Sequence, residues 1–132
     1  MIVVDTSALL AIALAEPNAA KVNDALQRAE AIALSAATLA ETLVVAGRRG
    51  RAAPVANLLA DLDAEIVPVS EEFAFLVAQA YDKWGKGVHP AKLNFADCFA
   101  YALAIERDCP LLFVGDDFSK TDVKAALDAA GG

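Results

Sequence analysis

The stretch Ile2-Val3-Val4-Asp5-Thr6-Ser7-Ala8-Leu9-Leu10-Ala11-Ile12-Ala13 begins with three β-branched residues and continues as an apolar, helix-favouring run. This pattern predicts a short buried strand followed by a helix, with Thr6 or Ser7 as its cap. The alternation recurs: strands are predicted over 32–35, 65–69 and 110–114, and helices over 18–29, 38–46, 52–62, 71–84, 94–107 and 121–130. Strands separated by helices indicate a parallel sheet covered on both faces, which is the α/β class.

The composition sets limits on what the chain does. A length of 132 residues with 58% hydrophobic residues fits one domain over 1–132 and excludes a disordered chain. Two distant cysteines exclude a disulfide scaffold, and the single histidine excludes a His-based zinc cluster. No apolar run is long enough for a membrane span, and the N-terminus does not resemble a signal peptide, so we expect a cytoplasmic protein without membrane contact.

The net charge of −7 is unusual for a nucleic-acid-binding protein, because phosphate neutralisation supplies much of the affinity in such proteins. Either nucleic acid is not the partner, or some carboxylates hold cations. Four acidic positions are candidates for such a role. Asp5 follows the first strand, Glu41 is the only charge in an apolar helix, Asp97 begins a helix, and Asp116-Asp117 follow the last strand after Gly115.

Each of these positions also has an ordinary structural interpretation. Asp5 and the Asp116-Asp117 pair have the composition of turns. Glu41 lies three residues after Thr38, which is the spacing of a capping box, and Asp97 has a similar offset from Asn94. Ligands in α/β sheets bind beyond the carboxyl ends of the strands, so the functional hypothesis rests on the joint placement of these residues.

If the carboxylates converge, they need a cation to remain ionised together, since like charges raise one another's pKa. Mg2+ or Mn2+ takes oxygen ligands and retains waters, and such a water can attack a phosphodiester. The chemistry predicted is metal-assisted phosphodiester hydrolysis.

The segments Val3-Val4-Asp5-Thr6-Ser7-Ala8, Leu93-Asn94-Phe95-Ala96-Asp97-Cys98 and Leu112-Phe113-Val114-Gly115-Asp116-Asp117-Phe118, together with Glu41, resemble the PIN-domain ribonucleases, in particular the VapC-type toxins of bacterial toxin–antitoxin pairs. The resemblance implies a three-layer α/β/α sandwich around a parallel sheet. It also implies an endoribonuclease dependent on Mg2+ or Mn2+, which forms a homodimer or a larger toxin–antitoxin complex and is blocked by a protein antitoxin.

The same resemblance implies roles for individual residues. Asp5 and Asp97 would be the main metal ligands, with Glu41 as an activating carboxylate. Relatives carry a single Asp after the last strand, so the doublet leaves the fourth carboxylate open. We favour Asp116 because it lies nearer the strand end, and Asp117 is the other candidate metal ligand.

Several other residues have expected roles. Thr6 or Ser7 is expected to hydrogen-bond to the Asp5 carboxylate. The basic run Arg48, Arg49 and Arg51 is predicted to contact RNA phosphates, or else to be a solvated helix end. A thinner basic stretch, Lys86, His89 and Lys92, precedes Asp97, and the aromatic residues Phe95, Phe99 and Tyr101 are expected in the core. Helix one is apolar nearly all round, so we expect a partner to cover it.

Three other functions fit an acidic pocket. A phosphoryl-accepting signalling module needs an acceptor Asp on a middle strand and a Lys after the last strand, and neither is present. A phosphatase with Asp5 as nucleophile generally needs a second Asp where Ser7 stands. A DNA-directed nuclease would use the same metal chemistry, so the choice of RNA rests on the resemblance.

Overall fold

A four-stranded parallel sheet in the order β3-β2-β1-β4 forms the centre of the molecule. The structure is a computed structural model that describes residues 1–127. Its elements in chain order are β1 (Ile2–Val4), α1 (Thr6–Ala13), α2 (Ala19–Arg28), β2 (Ile32–Ser35), α3 (Ala36–Arg48), α4 (Ala52–Leu62), β3 (Glu65–Val67), α5 (Glu71–Trp84), α6 (Phe95–Glu106) and β4 (Leu111–Leu112).

Successive residues of each inner strand point to opposite faces of the sheet. Val3, Ala33 and Leu111 pack against a cluster from α5 and α6. Val4, Leu34 and Leu112 pack against the opposite cluster, which α1, α2 and α4 supply. Helices therefore cover both faces, and the predicted three-layer α/β/α sandwich is confirmed. The third strand lies at one edge of the sheet and the fourth at the other.

The predicted helix over 121–130 is wrong in its described part, and residues 128–130 lie outside the described residues. Ala125 instead forms a parallel bridge with Leu111, where Leu111 N donates to Lys124 O at 2.8 Å and Ala126 N donates to Leu111 O at 2.9 Å. Because β4 is an edge strand with free backbone groups, pairing with it satisfies hydrogen bonds that a separate helix would leave unmade.

Two helix boundaries also differ from the sequence prediction. Asp5, not Thr6 or Ser7, caps α1, because its carboxylate accepts the Ser7 N–H. Helix α3 begins at Ala36 with Ser35 as its cap and continues through Gly47 to Arg48. Within residues 1–127, no helix has the length and apolar character needed to cross a bilayer.

Candidate active site

Asp5 lies at the junction of β1 and α1, where the strand ends and its carboxylate caps the helix. Oδ2 accepts hydrogen bonds from Ser7 N at 3.0 Å and from Ser7 Oγ at 2.7 Å. The side chain is almost fully buried. Burial raises the pKa of Asp5, the Ser7 hydrogen bonds lower it, and the charge of Glu41 raises it again. Within residues 1–127, the buried carboxylate therefore has two hydrogen-bond donors from Ser7 and no basic side chain paired with it.

The Ser7 hydroxyl joins the segment that follows β1 to the segment that follows β4. It donates to Asp5 and accepts a hydrogen bond from Val114 N at 3.0 Å. Val114 follows β4, which lies beside β1 in the sheet. Thr6 and Ser7 were both expected to orient Asp5. The Ser7 hydroxyl binds the Asp5 carboxylate, whereas the Thr6 hydroxyl binds Glu41.

Glu41 lies in the middle of α3, two turns beyond Ser35. The capping-box interpretation of Thr38 and Glu41 is therefore wrong, since Ser35 and not Thr38 is the N-cap of α3. The Thr6 hydroxyl donates to Glu41 Oε1 at 2.7 Å, and Thr42 Oγ1 lies 3.0 Å from Thr6 Oγ1. This chain of hydroxyls orients the Glu41 carboxylate towards α1, next to Asp5.

Asp97 occupies the first turn of α6 and forms the capping box with Asn94. Asp97 N donates to Asn94 Oδ1 at 2.8 Å, and Asn94 N donates to Asp97 Oδ2 at 3.1 Å. Burial raises the pKa of Asp97 to about 7 against the lowering effect of Asn94, and the charges of Asp5, Asp117 and Glu41 add to the rise. The Asp97 side chain therefore caps α6 and also lies near other carboxylates, so its structural interpretation does not exclude the functional one.

The acidic doublet is exposed on the turn after β4, where Gly115 has a φ of +95° that a side chain would disfavour. Asp117 is among the charges that act on Asp97. Asp116 instead lines a cavity of about 450 Å3, together with Phe113 and Phe118. Asp117 is therefore near enough for its charge to act on Asp97, and the choice between Asp116 and Asp117 as the fourth carboxylate stays a prediction.

The charge of Glu41 acts on Asp5, and the charges of Asp5, Glu41 and Asp117 act on Asp97. Over residues 1–127, however, no three His, Cys, Asp or Glu side chains form a preassembled metal-binding group. The three ion pairs of that range, Arg28–Asp24, Arg107–Glu65 and Lys124–Asp108, lie elsewhere. An all-oxygen donor set without a neutralising base fits Mg2+ or Mn2+, which bind through one or two carboxylates and complete their shells with water.

One neighbouring polar atom lacks a partner. Thr38 Oγ1, one turn before Glu41, is buried without a hydrogen bond in the described part of the chain. Sequence reasoning missed Thr38 and Thr42 as neighbours of the site. The available signal was the spacing of three residues from Thr38 to Glu41 and of four from Thr38 to Thr42, since residues at these spacings are neighbours on a helix surface.

The basic run lies apart from the carboxylates. Arg48, Arg49 and Arg51 are exposed at the far end of α3, and Arg48 is about 10 Å along the helix axis from Glu41. They do not feature among the main charges that shift Asp5 or Asp97. Their predicted contact with RNA stays a prediction.

The expected aromatic core is correct for Tyr101, which is 6% exposed, and wrong for Phe95, which is 67% exposed. Phe95 is the first residue of α6, two residues before Asp97, and its exposed side chain lies outside the helix–sheet interface. The spacing of Asn94 and Asp97 indicated a helix start at Phe95. Residues at a helix start often face solvent, and this signal could have excluded Phe95 from the core.

Comparison with known proteins gives a consistent result. The family model for the PIN domain matches residues 2–124. Ribonuclease VapC28 of Mycobacterium tuberculosis is 46% identical over 131 residues, which cover 96% of this chain and 98% of that protein. Ribonuclease VapC of Mycolicibacterium smegmatis is 39% identical over 128 residues, with 93% and 98% covered.

Two solved structures have the same fold. The crystal structure of VapC20 from Mycobacterium tuberculosis, a sarcin-ricin loop cleaving toxin, superposes with a TM-score of 0.77 at 16% identity and covers 93% of this chain and 96% of that one. A toxin–antitoxin complex from Klebsiella pneumoniae gives a TM-score of 0.73 at 18% identity, with 97% and 99% covered.

Proposed function

The chain belongs to the VapC family of PIN-domain proteins, and from that membership we propose that it is an endoribonuclease dependent on Mg2+ or Mn2+ and the toxin of a toxin–antitoxin pair. The observation that carries the proposal is the pair Asp5 and Asp97. Both are buried, both have a raised pKa, and neither has a cationic partner in the described residues. Such a pair is costly to folding and is expected where a cation is to be bound.

Asp5 and Asp97 would hold the ion, with Asp117 as the third carboxylate and Asp116 as the alternative from the sequence. When bound, the ion would make a water more acidic and stabilise the negative charge on the leaving oxygen. Ser7 fixes the rotamer of Asp5, and Asn94 fixes that of Asp97. Both ligands are thus oriented before any substrate arrives.

Glu41 would accept the proton from the attacking water. Its Oε1 is held by Thr6, which leaves Oε2 without a hydrogen bond in the described part of the chain. A carboxylate fixed through one oxygen presents the other in a defined direction, which a general base requires. RNA is proposed as the substrate over DNA because the curated relatives are named ribonucleases. Nothing in the site favours a phosphoryl-accepting module.

The proposed partners are a protein antitoxin and a second copy of the chain. Helix α3 exposes three apolar side chains just after Glu41, namely Leu43, Val44 and Val45, of which Val44 is 58% exposed. Exposed apolar side chains close in sequence to a charged site fit a covering protein. The sequence expected helix one to need such cover, but Leu9 is fully buried within the fold, and α3 has the more exposed apolar residues.

The direct test measures cleavage of structured RNA by the purified chain with Mg2+, Mn2+ or EDTA. We expect cleavage only with the metals, and a loss of at least about 100-fold in Asp5→Asn and Asp97→Asn. Asp61→Asn is the matched control, because Asp61 lies on α4 at the amino-terminal edge of the sheet. Activity in EDTA, or full activity in both site variants, would refute the proposal.

A further inference from the structure

A segment of positive charge leads into the candidate site. Residues 83–96, here called the basic segment, contain Lys83, Lys86 and Lys92 and no carboxylate, in a chain of net charge −7. The basic segment runs from the last residues of α5 to the first residues of α6 and ends next to Asp97. Lys86 and Lys92 are exposed, and neither is in an ion pair of the described residues.

The basic segment is held in one shape by its own backbone. Gly85 and Leu93 form a bridge, in which Lys86 N donates to Leu93 O at 2.9 Å and Leu93 N donates to Trp84 O at 3.0 Å. The His89 ring packs edge-on against Trp84 with centroids 4.7 Å apart. Its Nδ1 accepts a hydrogen bond from Ala91 N at 2.9 Å. The lysines are therefore carried on an ordered loop.

Lys92 has a backbone conformation that its side chain does not favour. Its φ is +54°, in the left-handed region where glycine and asparagine are preferred. Ala15, Asp63 and Asp108 share this conformation, so the φ of Lys92 describes the turn and does not by itself assign a role to the side chain. Lys92 is two residues from Asn94, whose backbone N–H binds the Asp97 carboxylate.

Phe95 adds an aromatic face at the same place. It is 67% exposed, and its ring packs edge-to-face on Phe99 with centroids 5.0 Å apart. Phe99 in turn packs against the core. The ring is thus supported from one side, two residues before Asp97. Exposed aromatic residues interleaved with lysines are the usual means of holding single-stranded nucleic acid.

We propose that the basic segment is the surface along which an RNA strand reaches the carboxylates, with Lys86 and Lys92 on phosphates and Phe95 stacked on a base. The inference rests on the proposed ribonuclease function. It also explains how a chain of net negative charge binds a polyanion, because the local charge of the segment is opposite to that of the whole. The sequence had placed the phosphate contacts on Arg48, Arg49 and Arg51 instead.

Binding is tested in an Asp5→Asn background, so that the probe is not cut. The probe is a fluorescein-labelled RNA hairpin, followed by anisotropy in Mg2+ at several salt concentrations. We expect Lys86→Gln, Lys92→Gly and Phe95→Ala each to weaken binding about 5- to 10-fold. Each lysine variant should also reduce the slope of log affinity against log salt by about one.

Two matched controls are available. Lys124→Gln removes an exposed lysine beside the start of β4, at the amino-terminal end of the strands, whereas the candidate site lies at their carboxyl ends. Phe75→Ala removes a phenylalanine on α5 that is 63% exposed. Both should bind the probe as the parent does. Lys92→Gly has a second value, since it relieves the strained φ and should leave the melting temperature equal or higher while binding falls.

The possible results separate the two proposals. If the wild-type chain cleaves RNA and the three variants bind like the parent, the strand path is wrong and the nuclease function stands. If Phe95→Ala changes the apparent mass in gel filtration and leaves RNA affinity unchanged, Phe95 is a protein contact and the path is also wrong. If the wild type neither binds nor cleaves RNA, both proposals fail.

Discussion

The Thr6 hydroxyl and the Glu41 carboxylate, 35 residues apart in sequence, are joined by a hydrogen bond of 2.7 Å. The bond ties the first turn of α1 to the middle of α3. It fixes the direction of the only carboxylate in the site for which we propose proton transfer rather than metal binding. Thr6 is thus a positioning residue.

Replacing Thr6 by Val removes the hydroxyl at nearly constant volume. We expect kcat on RNA to fall about 10-fold with KM nearly unchanged, since outer contacts typically alter activity by about 10- to 100-fold. Thr6→Ser should restore kcat. A melting temperature recorded beside the kinetics separates positioning from unfolding, and an equal loss in the Val and Ser variants would contradict the assignment.

The metal-free protein should lose stability as pH rises. Asp97 has a folded pKa of about 7 against an ordinary value of 3.8, so the folded state binds the proton more tightly than the unfolded chain does. Stability from this group is therefore full below about pH 4, falls between pH 4 and 7, and is level above that. Urea unfolding in EDTA at pH 5 and pH 8 measures the difference.

Asp97→Asn removes this titration and should flatten the pH dependence. At pH 8 in EDTA we expect the variant to be more stable than wild type by about 1–2 kcal/mol, less than the full shift because water still reaches the carboxyl. Asp61→Asn should change little. A variant less stable than wild type at pH 8 would show that the carboxylate is not repelled.

The doublet after β4 can be resolved residue by residue. Because Asp117 and not Asp116 is among the charges acting on Asp97, Asp117→Asn should lower the pKa of Asp97 and weaken Mn2+ binding more than Asp116→Asn does. Calorimetric titration with Mn2+ and carboxyl NMR of Asp97 give the two readouts. The reverse order would return the role to Asp116.

Tyr101 holds the C-terminal segment to the two helices beneath it. Its hydroxyl donates a hydrogen bond to Asp122 Oδ1 and accepts one from Trp84 Nε1 at 2.8 Å. Burial and Asp122 raise its pKa to about 12, so it stays protonated. Tyr101→Phe removes both hydrogen bonds and should destabilise the fold by about 1 kcal/mol, since Asp122 is exposed and water can replace the hydroxyl there.

The matched control is Tyr81→Phe, because the Tyr81 hydroxyl makes only a 3.5 Å contact with Lys86 O. It should melt close to wild type. The emission of Trp84, the only tryptophan, should shift in Tyr101→Phe and not in the control. Similar melting of the two variants would mean that the Tyr101 contacts contribute little.

Local patterns predicted the elements well where the decisive contacts are also local. The Asn94–Asp97 capping box and the buried strand Ile2–Val4 are examples. The helix over 121–130 failed because the competing partner, the free edge of β4, is visible only once the sheet order is known. Alternation of apolar residues does not give that order.

The candidate site was predicted as a set of carboxylates, and the structure adds how they are held. The Thr6–Glu41 bond depends on how α1 packs on α3, which no spacing within either helix reveals. The direction of Asp116 and Asp117 depends on the positive φ at Gly115. Whether these carboxylates bind a metal stays a prediction from the residues.

The Ser7–Val114 hydrogen bond spans 107 positions, which has a consequence for synthesis of the protein. A ribosome-bound chain that has not yet released β4 lacks both this donor and the Asp117 side chain, while Asp5, Glu41 and Asp97 are already made. The first and last strands must pair before the pocket exists. A chain that lacks β4 and the residues after it would therefore have no formed pocket, although it would still contain Asp5, Glu41 and Asp97.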